Sequence, residues 1–347
     1  MNAEKNKLEP LINKIVCGDC LDILSKVPDN SINTIVTSPP YYMQRDYKNG
    51  NSKEVGNEPK VEEYVGILMD IFKECIRVIK DDGSIFFNIG DKYIDSSLLL
   101  VPYRFAIEAS KTKSVYLINQ ITWVKPNPQP RQFKGRLVSS TEPIFHFTKN
   151  FKFKYYPDTF LCGNNINRNN KNPGKNIGKK YFELIKKSDL SPDRKDIAYK
   201  ELNEVIDEVK AGKIWSFRMK IKGIHSAAYG GYEGGRKEHI KIKGFTIIRM
   251  YDRPMKRDVI EAPILSLKYL NHPAIYPEII VQECLNLTTE KNDIVLDPFI
   301  GSGTTAVVAK RMGRNFIGIE INSIYCKEAE KRLKETVTEP NLFDFIT

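Results

Sequence analysis

A single strand–helix–strand unit near the C-terminus constrains the fold more than any other feature of this chain. Residues 293–297 predict a strand, residues 304–312 a helix and residues 315–320 a second strand. One further helix, at 323–334, is predicted before the printed sequence ends. A unit of this size cannot form a stable sheet by itself. The remaining strands of the sheet must therefore come from an earlier part of the chain.

Those strands are predicted within residues 14–150, where strands and helices alternate. Residues 62–80 carry apolar side chains at helical spacing, and Asp81-Asp82-Gly83 is expected to end this helix. The other predicted elements are a helix at 98–111 and strands at 14–16, 33–36, 84–88, 120–124 and 144–147. We therefore predict an α/β fold in which one parallel sheet is assembled from both ends of the chain.

The character of the sequence changes after about residue 150. Ser191 and Pro192 predict the start of a helix and Gly212 predicts its end. The side chains expected to face inward from this helix are those of Ile197, Leu202, Val205, Ile206 and Val209. The stretch that follows, to about residue 257, is strand-like and interrupted by glycines. These features predict a separate module between the two parts of the sheet.

The sequence thus divides into three predicted segments. Residues 1–150 form the first half of the sheet domain, and residues 258–347 form the second half. Residues 151–257 form the inserted module. Residues 212–257 hold twelve Lys and Arg against three Asp and Glu, within a chain whose net charge is +11. Such a concentration favours a polyanionic partner, with a solvated lysine-rich surface as the alternative.

Composition places the chain among soluble globular proteins, because 41% of its residues are hydrophobic and 28% are charged. No apolar run approaches the ~18 residues of a membrane helix, and the polar start does not resemble a secretory signal. The six scattered cysteines suit a reducing environment, so a cytoplasmic location is expected. Cys17 and Cys20 have metal-like spacing, but no second such pair completes a tetrahedral site. No metal site is predicted.

A glycine-containing loop follows the predicted strand that ends at Asp297. Gly301 and Gly303 permit a tight turn and a close backbone approach to a ligand, ahead of the next helix. The next strand ends at Glu320, whose carboxylate can accept hydrogen bonds from both hydroxyls of a ribose. This spacing also fits a dinucleotide fingerprint. A dinucleotide site needs a second mononucleotide-binding half, however, and one short helix follows here.

A second segment, Ser38-Pro39-Pro40-Tyr41, follows the predicted strand at 33–36. Proline fixes φ, so the carbonyl of Ser38 or Pro39 is held in one direction, and Tyr41 offers a ring for stacking. The segment can therefore hold a planar amino group. An ordinary loop, with Tyr41 and Tyr42 in the core or at its rim, is the alternative. The presence of the glycine loop favours a binding site.

Together, residues 37–42 (TSPPYY) and 297–305 (DPFIGSGTT) resemble the DNA amino-methyltransferases, in the permuted form where the catalytic segment precedes the cofactor loop. The resemblance implies a Rossmann-like fold that binds S-adenosyl-L-methionine and a catalytic role for Ser38, Pro39, Pro40 and Tyr41. It implies that the cofactor contacts Asp297, Phe299, Gly301, Gly303 and Thr304, that Glu320 holds its ribose, and that His272 and Pro273 line its methionine pocket. Asp19 would contact the adenine amino group; a helix cap is an equally weighted role for it.

Serine in the first position of this segment is typical of members that act on cytosine N4, whereas aspartate is commoner in those that act on adenine N6. The resemblance therefore implies a site-specific methyltransferase of a restriction–modification system, acting on a flipped cytosine in double-stranded DNA. A cognate restriction endonuclease is the candidate partner, and no membrane is implied. Adenine N6 methylation, methylation of RNA or a protein side chain, and nucleic-acid binding with a degenerate cofactor pocket are the alternatives.

The resemblance does not extend to residues 151–257, which we expect to read the DNA sequence. Basic side chains there are of two expected kinds, those that contact guanine edges and those that contact phosphates. The sequence does not separate the two kinds. The candidates are Arg218, Lys220, Lys222, Arg236, Lys237, Arg249 and Arg253.

Overall fold

The computed structural model describes residues 8–44, 54–128, 135–156, 177–225, 236–251, 256–264 and 277–337. The described residues belong to two compact units. The larger lies within residues 1–159 and 257–347, and the second lies within residues 160–256.

The strands of both units, in chain order, are β1 (Lys14–Cys17), β2 (Ile32–Thr37), β3 (Ile79–Asn88), β4 (Tyr93–Ile94), β5 (Ser97–Leu98), β6 (Tyr116–Val124), β7 (Thr141–Thr148), β8 (Ser216–Ile221), β9 (Phe245–Met250), β10 (Val259–Glu261), β11 (Ile294–Asp297) and β12 (Asn315–Glu320). Eight of them form the sheet of the larger unit, in the order β1-β12-β11-β2-β3-β7-β6-β10. β4 pairs with β5, and β8 pairs with β9.

The two ends of the chain are interleaved in this sheet. β1 pairs with β12, placing Cys17 opposite Glu320, and β11 pairs with β2, placing Leu296 opposite Ile35. Parallel strands of this kind are covered on both faces, and accordingly every residue of β2 is buried and the last three residues of β11 are buried. The prediction of an α/β sheet built from both ends of the chain is confirmed.

The sheet is not entirely parallel, which corrects the prediction. β7 runs antiparallel to both of its neighbours, β3 and β6. A parallel neighbour requires a crossover connection, usually a helix, whereas antiparallel strands can be joined directly. The proline-rich sequence that begins the connection from β6 to β7, Lys125-Pro126-Asn127-Pro128, cannot supply that helix.

Helices cover both faces of the sheet. Helices Val61–Val78 and Val101–Ser110 contribute to one apolar core with Phe72 and Phe105, and helices Glu278–Thr288 and Thr304–Arg311 contribute to a second core. Helices Cys20–Leu24 and Ser323–Glu335 also belong to the larger unit. The architecture is a three-layer α/β sandwich.

The triplet Asp81-Asp82-Gly83 does not end a helix but lies within β3, which begins directly after Val78. A Cβ atom at position 83 would lie 2.7 Å from the carbonyl oxygen of Asn33 and 2.7 Å from a side-chain carbon of Ile79. Glycine at this position therefore permits the close approach of β3 to β2. That requirement comes from tertiary pairing, so the local sequence suggested a helix end instead.

The second unit has its own apolar core. Helices Lys179–Lys187 and Pro192–Lys210 pack with the β8–β9 ribbon, and Leu202, Met219 and Phe245 are buried in this core. Helix Arg236–Lys243 directly precedes β9. Helix Pro192–Lys210 confirms the predicted helix, with Ser191 as its N-cap residue. Helix Arg236–Lys243 was not predicted.

One side chain of helix Pro192–Lys210 departs from the predicted pattern. Ile197 is 46% exposed, whereas its neighbour Ala198 is fully buried. The other predicted inward residues are buried: Leu202, Val205, Ile206 and Val209. At the N-terminal end of the helix, Ala198 rather than Ile197 therefore belongs to the buried core.

No helix in the described ranges is long and apolar enough to cross a membrane. Among the residues that the structure describes, no three His, Cys, Asp or Glu side chains are grouped so that they could hold a metal ion. In the described part of the chain, the cysteines at positions 17, 20, 75, 284 and 326 form no disulfide.

Candidate functional site at the carboxyl ends of β2 and β11

The candidate site lies where the strand order of the sheet reverses. From β11 the chain crosses to β12 on one side, whereas from β2 it crosses to β3 on the other. In open α/β sheets, ligands bind outside the carboxyl ends of the strands at such a point. The segment from Ser38 to Tyr41 follows β2, and the glycine loop follows β11, so the two motifs predicted from the sequence both begin here.

A buried hydrogen-bond cluster joins the two motifs. The Thr37 hydroxyl donates to Asp297 Oδ1 over 2.7 Å, and the Thr305 hydroxyl donates to Oδ2 over 2.6 Å. The Phe299 amide also donates to Oδ1, over 3.0 Å. Burial raises the pKa of Asp297 to about 6, although these three hydrogen bonds oppose the rise. The carboxylate thus connects the end of β2, the loop and the following helix.

The glycine loop is shaped by contacts inside the protein. Gly301 and Gly303 have φ values of 51° and 89°, in the left-handed region that favours glycine. A Cβ atom at position 303 would lie 2.9 Å from the Cβ of Ala329, in helix Ser323–Glu335. Glycine at 303 is therefore required by the packing of that helix. The close approach of a ligand at this position, expected from the sequence, stays a prediction.

Arg332, one turn after Ala329 in the same helix, also contacts the loop. Its Nη1 donates to the Ser302 carbonyl over 2.8 Å, and its Nη2 forms a 3.2 Å ion pair with Glu278. Glu278 is also paired with Arg311, over 2.8 Å. The predicted cofactor residue Thr304 is buried, and its hydroxyl lies 3.4 Å from Arg332 Nη1. This network was not predicted, because its members are far apart in sequence.

Glu320 ends β12 beside the glycine loop. Its two carboxylate oxygens accept hydrogen bonds from the amides of Gly301, at 3.0 Å, and Asn322, at 2.8 Å. Burial raises the pKa of Glu320 to about 7; the two amides oppose this rise, and the nearby Asp297 adds to it. An ionised carboxylate has about four acceptor positions. Two therefore remain for the hydroxyls of a ribose, so the residue fits a nucleoside cofactor.

The remaining predicted cofactor residues differ in what the structure shows. Asp19 caps helix Cys20–Leu24, because its Oδ1 accepts from the Asp22 amide over 3.0 Å. It also lies beside the end of β12, since the Gly18 amide donates to the Glu320 carbonyl over 2.8 Å. Phe299 is half-buried in the loop. His272 and Pro273 lie outside the described residues.

In the segment after β2, the hydroxyl of Ser38 donates to Tyr41 Oη over 3.2 Å. Tyr41 Oη lies 2.7 Å from Glu142 Oε2 and 3.0 Å from Asn88 Oδ1. Burial, followed by the charge of Glu142, raises the pKa of Tyr41 well above its ordinary value, so the phenol keeps its proton. Glu142 forms an ion pair with Lys125. Asn88, Lys125 and Glu142 are site residues that the motifs did not reveal.

The backbone of the same segment is fixed on one side. The Pro40 carbonyl accepts a 2.8 Å hydrogen bond from Tyr64, and Tyr42 is buried against the same ring at a centroid distance of 5.5 Å. Within the described part of the chain, the carbonyl oxygens of Ser38 and Pro39 accept no hydrogen bond. Acceptors for an amino group are therefore present at the positions that the sequence suggested.

In the second unit, the β8–β9 ribbon separates the basic candidates. Phe217, Met219 and Ile221 face the unit's core, so by strand alternation Arg218 and Lys220 face the opposite side. Arg249 lies opposite Phe217 and forms two hydrogen bonds with Glu208, of 2.6 and 2.8 Å.

Of the other basic candidates, Lys222 and Arg236 are exposed. The side chain of Lys237 and the whole of Arg253 lie outside the described residues.

Comparison with known proteins identifies the family. A family model described as DNA methylase, for enzymes acting at N6 or N4, matches residues 32–331. The chain belongs to this family. The type II methyltransferase M.BglII of Bacillus subtilis is 31% identical, over 96% of this chain and 72% of that protein. M.SfiI of Streptomyces fimbriatus is 28% identical, over 89% of this chain and 88% of that protein.

Two solved structures share the fold. The PvuII DNA methyltransferase (cytosine-N4-specific) has a TM-score of 0.57 at 17% identity, covering 92% of this chain and 88% of that one. A DNA modification methylase of Thermus thermophilus, complexed with S-adenosyl-L-methionine, has a TM-score of 0.52 at 17% identity, covering 93% and 94%. The protein is thus a DNA amino-methyltransferase of the restriction–modification type with a Rossmann-like fold, and its cofactor is S-adenosyl-L-methionine.

Proposed function

We propose that the protein methylates the exocyclic N4 amine of a cytosine flipped out of double-stranded DNA. The observation that carries this proposal is the Thr37–Asp297 hydrogen bond of 2.7 Å, which joins a Ser38-led catalytic segment to the glycine loop. In this family, serine in that position is typical of N4 members. The glycine loop and Glu320 would hold the cofactor, with His272 and Pro273 lining its methionine part.

Methylation of a base amine requires positioning of the amine rather than covalent catalysis by a side chain. The lone pair of a base amine is delocalised into the ring, so the amine is a poor nucleophile. Ser38 Oγ and the free carbonyl of Ser38 or Pro39 can each accept one N–H bond, which localises the lone pair on nitrogen. When bound, S-adenosyl-L-methionine supplies an electrophilic methyl group. Holding two reactants in line can contribute about 7–11 kcal/mol to lowering the barrier.

Tyr41 is proposed to hold the flipped base by stacking. A Cβ atom at Gly90 would lie 2.4 Å from the Tyr41 ring, so this glycine lets one face of the ring pack against the backbone. A base inside a duplex cannot reach the Ser38 hydroxyl without leaving the stack. The other face of Tyr41 would then receive it, for a gain of about 1–3 kcal/mol.

The test is mass spectrometry of nucleosides from DNA treated with the purified protein and S-adenosyl-L-methionine. We expect N4-methylcytosine, and Ser38→Ala should slow its formation while the cofactor still binds. Detection of N6-methyladenine without methylcytosine would overturn the base assignment. Failure to bind the cofactor in isothermal titration would instead indicate a degenerate pocket.

The β8–β9 ribbon is the proposed DNA-reading element of the second unit. The DNA major groove admits a two-stranded β-ribbon, and Arg218 and Lys220 project from the face of the ribbon away from the unit's core. Arg249 is held by Glu208 on the core side, which argues against a DNA contact for it. Lys222 and Arg236 are exposed and would contact phosphates.

This element can be tested by measuring duplex binding over a range of salt concentrations. Replacement of both Arg218 and Lys220 by alanine should weaken binding about tenfold or more, and each lost phosphate contact should reduce the salt slope by about 0.9. Arg249→Ala is the matched control and should retain binding. If both variants lose the same amount of duplex affinity, the outward face of the ribbon is not the DNA-binding surface.

A cognate restriction endonuclease is the proposed biological partner, as expected of a type II system. DNA modified by this protein should resist one endonuclease that cleaves the same site. If the modified sites prove to be cut as readily as unmodified ones by every such endonuclease, this part of the proposal fails.

A further inference from the structure

Three side chains, those of Tyr41, Glu142 and Lys125, form a chain of contacts that begins at Ser38. Its hydroxyl donates to Tyr41 Oη over 3.2 Å, and Tyr41 lies 2.7 Å from Glu142 Oε2. The other carboxylate oxygen of Glu142 is paired with Lys125. The side chains of Lys125 and Glu142 are only 12% and 13% exposed, so the ion pair is largely withdrawn from water. This pair contacts the catalytic segment through Tyr41, and neither of its residues belongs to a motif found in the sequence.

The geometry gives each hydrogen bond of the chain a direction. A phenol has one proton, and an ionised carboxylate is a stronger acceptor than an amide oxygen. The shorter contact, to Glu142, therefore takes the Tyr41 proton, and Asn88 Oδ1 at 3.0 Å is the secondary acceptor. With its own proton directed away, Tyr41 Oη can only accept from Ser38. The Ser38 proton is thus committed to Tyr41.

Two further contacts hold this arrangement. Lys125 Nζ lies 4.6 Å from the centre of the Trp123 ring, so the ammonium group is fixed over an aromatic face. Asn88 Nδ2 donates to the Pro143 carbonyl over 3.2 Å, which turns the oxygen of this amide toward Tyr41. Neither contact needs a substrate, so the chain is set before DNA binds.

We propose that Glu142 is a positioning residue that, through Tyr41, presents Ser38 Oγ to the target amine as an acceptor only. An amine N–H needs an acceptor. A freely rotating serine hydroxyl would point its proton at the amine part of the time and repel it. With the Ser38 proton engaged by Tyr41, the lone pairs of Ser38 are those that face other partners. This inference rests on the proposed role of Ser38.

The test is a double-mutant cycle with Glu142→Gln and Tyr41→Phe in single-turnover methylation. The amide of Gln at position 142 can donate a hydrogen bond to Tyr41 Oη. The Tyr41 proton is then free to point at Ser38, so the direction of the hydrogen bonds is reversed. Each single variant should lower the rate about 10- to 100-fold, in the range of an oriented catalytic hydrogen bond or below it. Cofactor affinity should change less than twofold, since neither residue is proposed to contact the cofactor. Duplex affinity should also change less than twofold, because Tyr41→Phe keeps the ring that is proposed to stack on the base.

The double variant shows whether Glu142 acts through Tyr41 or independently of it. If Glu142 acts through Tyr41, the double variant should be no slower than Tyr41→Phe alone. Multiplied rate losses would show that Glu142 acts by another route and would overturn the inference. In a Ser38→Ala background, neither substitution should slow the rate further; an additional loss there would also contradict it.

Controls separate this inference from the proposed function and from misfolding. Glu74→Gln removes a half-buried carboxylate paired with Arg77 in the same unit and should leave the rate unchanged. Wild-type activity in Ser38→Ala would remove the proposed role of Ser38 itself. A slow Ser38→Ala together with a fully active Glu142→Gln would refute the positioning role alone. If Glu142→Gln fails to fold in circular dichroism, the Tyr41→Phe rate still tests the chain.

Discussion

At the scale of single residues, the ionisation of Glu320 links pH to cofactor binding. Burial raises its pKa to about 7, and a protonated carboxyl group has one acceptor oxygen fewer for ribose. The affinity for S-adenosyl-L-methionine should therefore be highest above pH 7 and should fall as pH drops through 7. Isothermal titration at pH 6 and pH 8 checks this. Glu320→Gln should bind weakly at both values, and a flat wild-type profile would contradict the assignment.

Gly303 offers a second test, because its contact with Ala329 predicts compensation. Gly303→Ala would place a Cβ atom 2.9 Å from that of Ala329 and would strain a residue with φ of 89°. We expect a loss of about 1–3 kcal/mol in unfolding free energy. Adding Ala329→Gly should restore the unfolding free energy lost to steric crowding but not the part lost to backbone strain at position 303. Denaturant unfolding measures both. If Ala329→Gly restores nothing, the crowding lies elsewhere.

At the scale of elements, the cluster around Asp297 couples the end of β2 to the glycine loop. Thr37→Val keeps the shape of the side chain but removes the 2.7 Å hydrogen bond to Asp297. Methyl transfer should slow while cofactor affinity changes little, because the Ser38 segment is no longer held in position relative to the glycine loop. Single-turnover rates and isothermal titration measure the two effects. Thr34→Val, which removes another buried hydroxyl of β2, paired with Thr288, is the matched control.

The same substitution has a pH signature. The pKa of Asp297 is raised from 3.8 to about 6 in the folded protein, so the folded state holds this proton more tightly than the unfolded chain. Proton binding at Asp297 therefore contributes to the free energy of unfolding. This contribution is fully present below pH 3.8 and is lost as pH rises through 6. Removal of the Thr37 hydrogen bond should raise the pKa of Asp297 further. The decrease in stability with rising pH should then extend to higher pH. Thr34→Val should leave the pH dependence unchanged.

Elements with strong local signals were predictable from the sequence. Helix Val61–Val78 follows from its apolar period, and β11 with its loop follows from Asp297, Gly301 and Gly303. The direction of β7 and the short β10 were not, because both depend on pairing with residues far away. For the same reason the motifs revealed Ser38 and Tyr41 but not Glu142, which lies 101 positions from Tyr41 in sequence.

At the scale of the whole molecule, two compact units suggest two separable properties. The larger unit contains the described parts of the candidate catalytic and cofactor segments, and the smaller one, within residues 160–256, contains the basic ribbon. The smaller unit has its own core, with Ile185, Ala198, Leu202 and Val205 fully buried. An independently packed unit can be exchanged without opening the sheet.

We therefore expect the specificity to move with the smaller unit. Replacing residues 160–256 by the matching segment of a relative that recognises another sequence should give a chimaera that methylates the relative's site. The same chimaera carrying Ser38→Ala should be slow, which shows that the activity comes from this catalytic segment. Mapping the modified positions by sequencing measures the outcome. An active chimaera that retains the original site would place recognition in the larger unit, because the exchange leaves that unit unchanged.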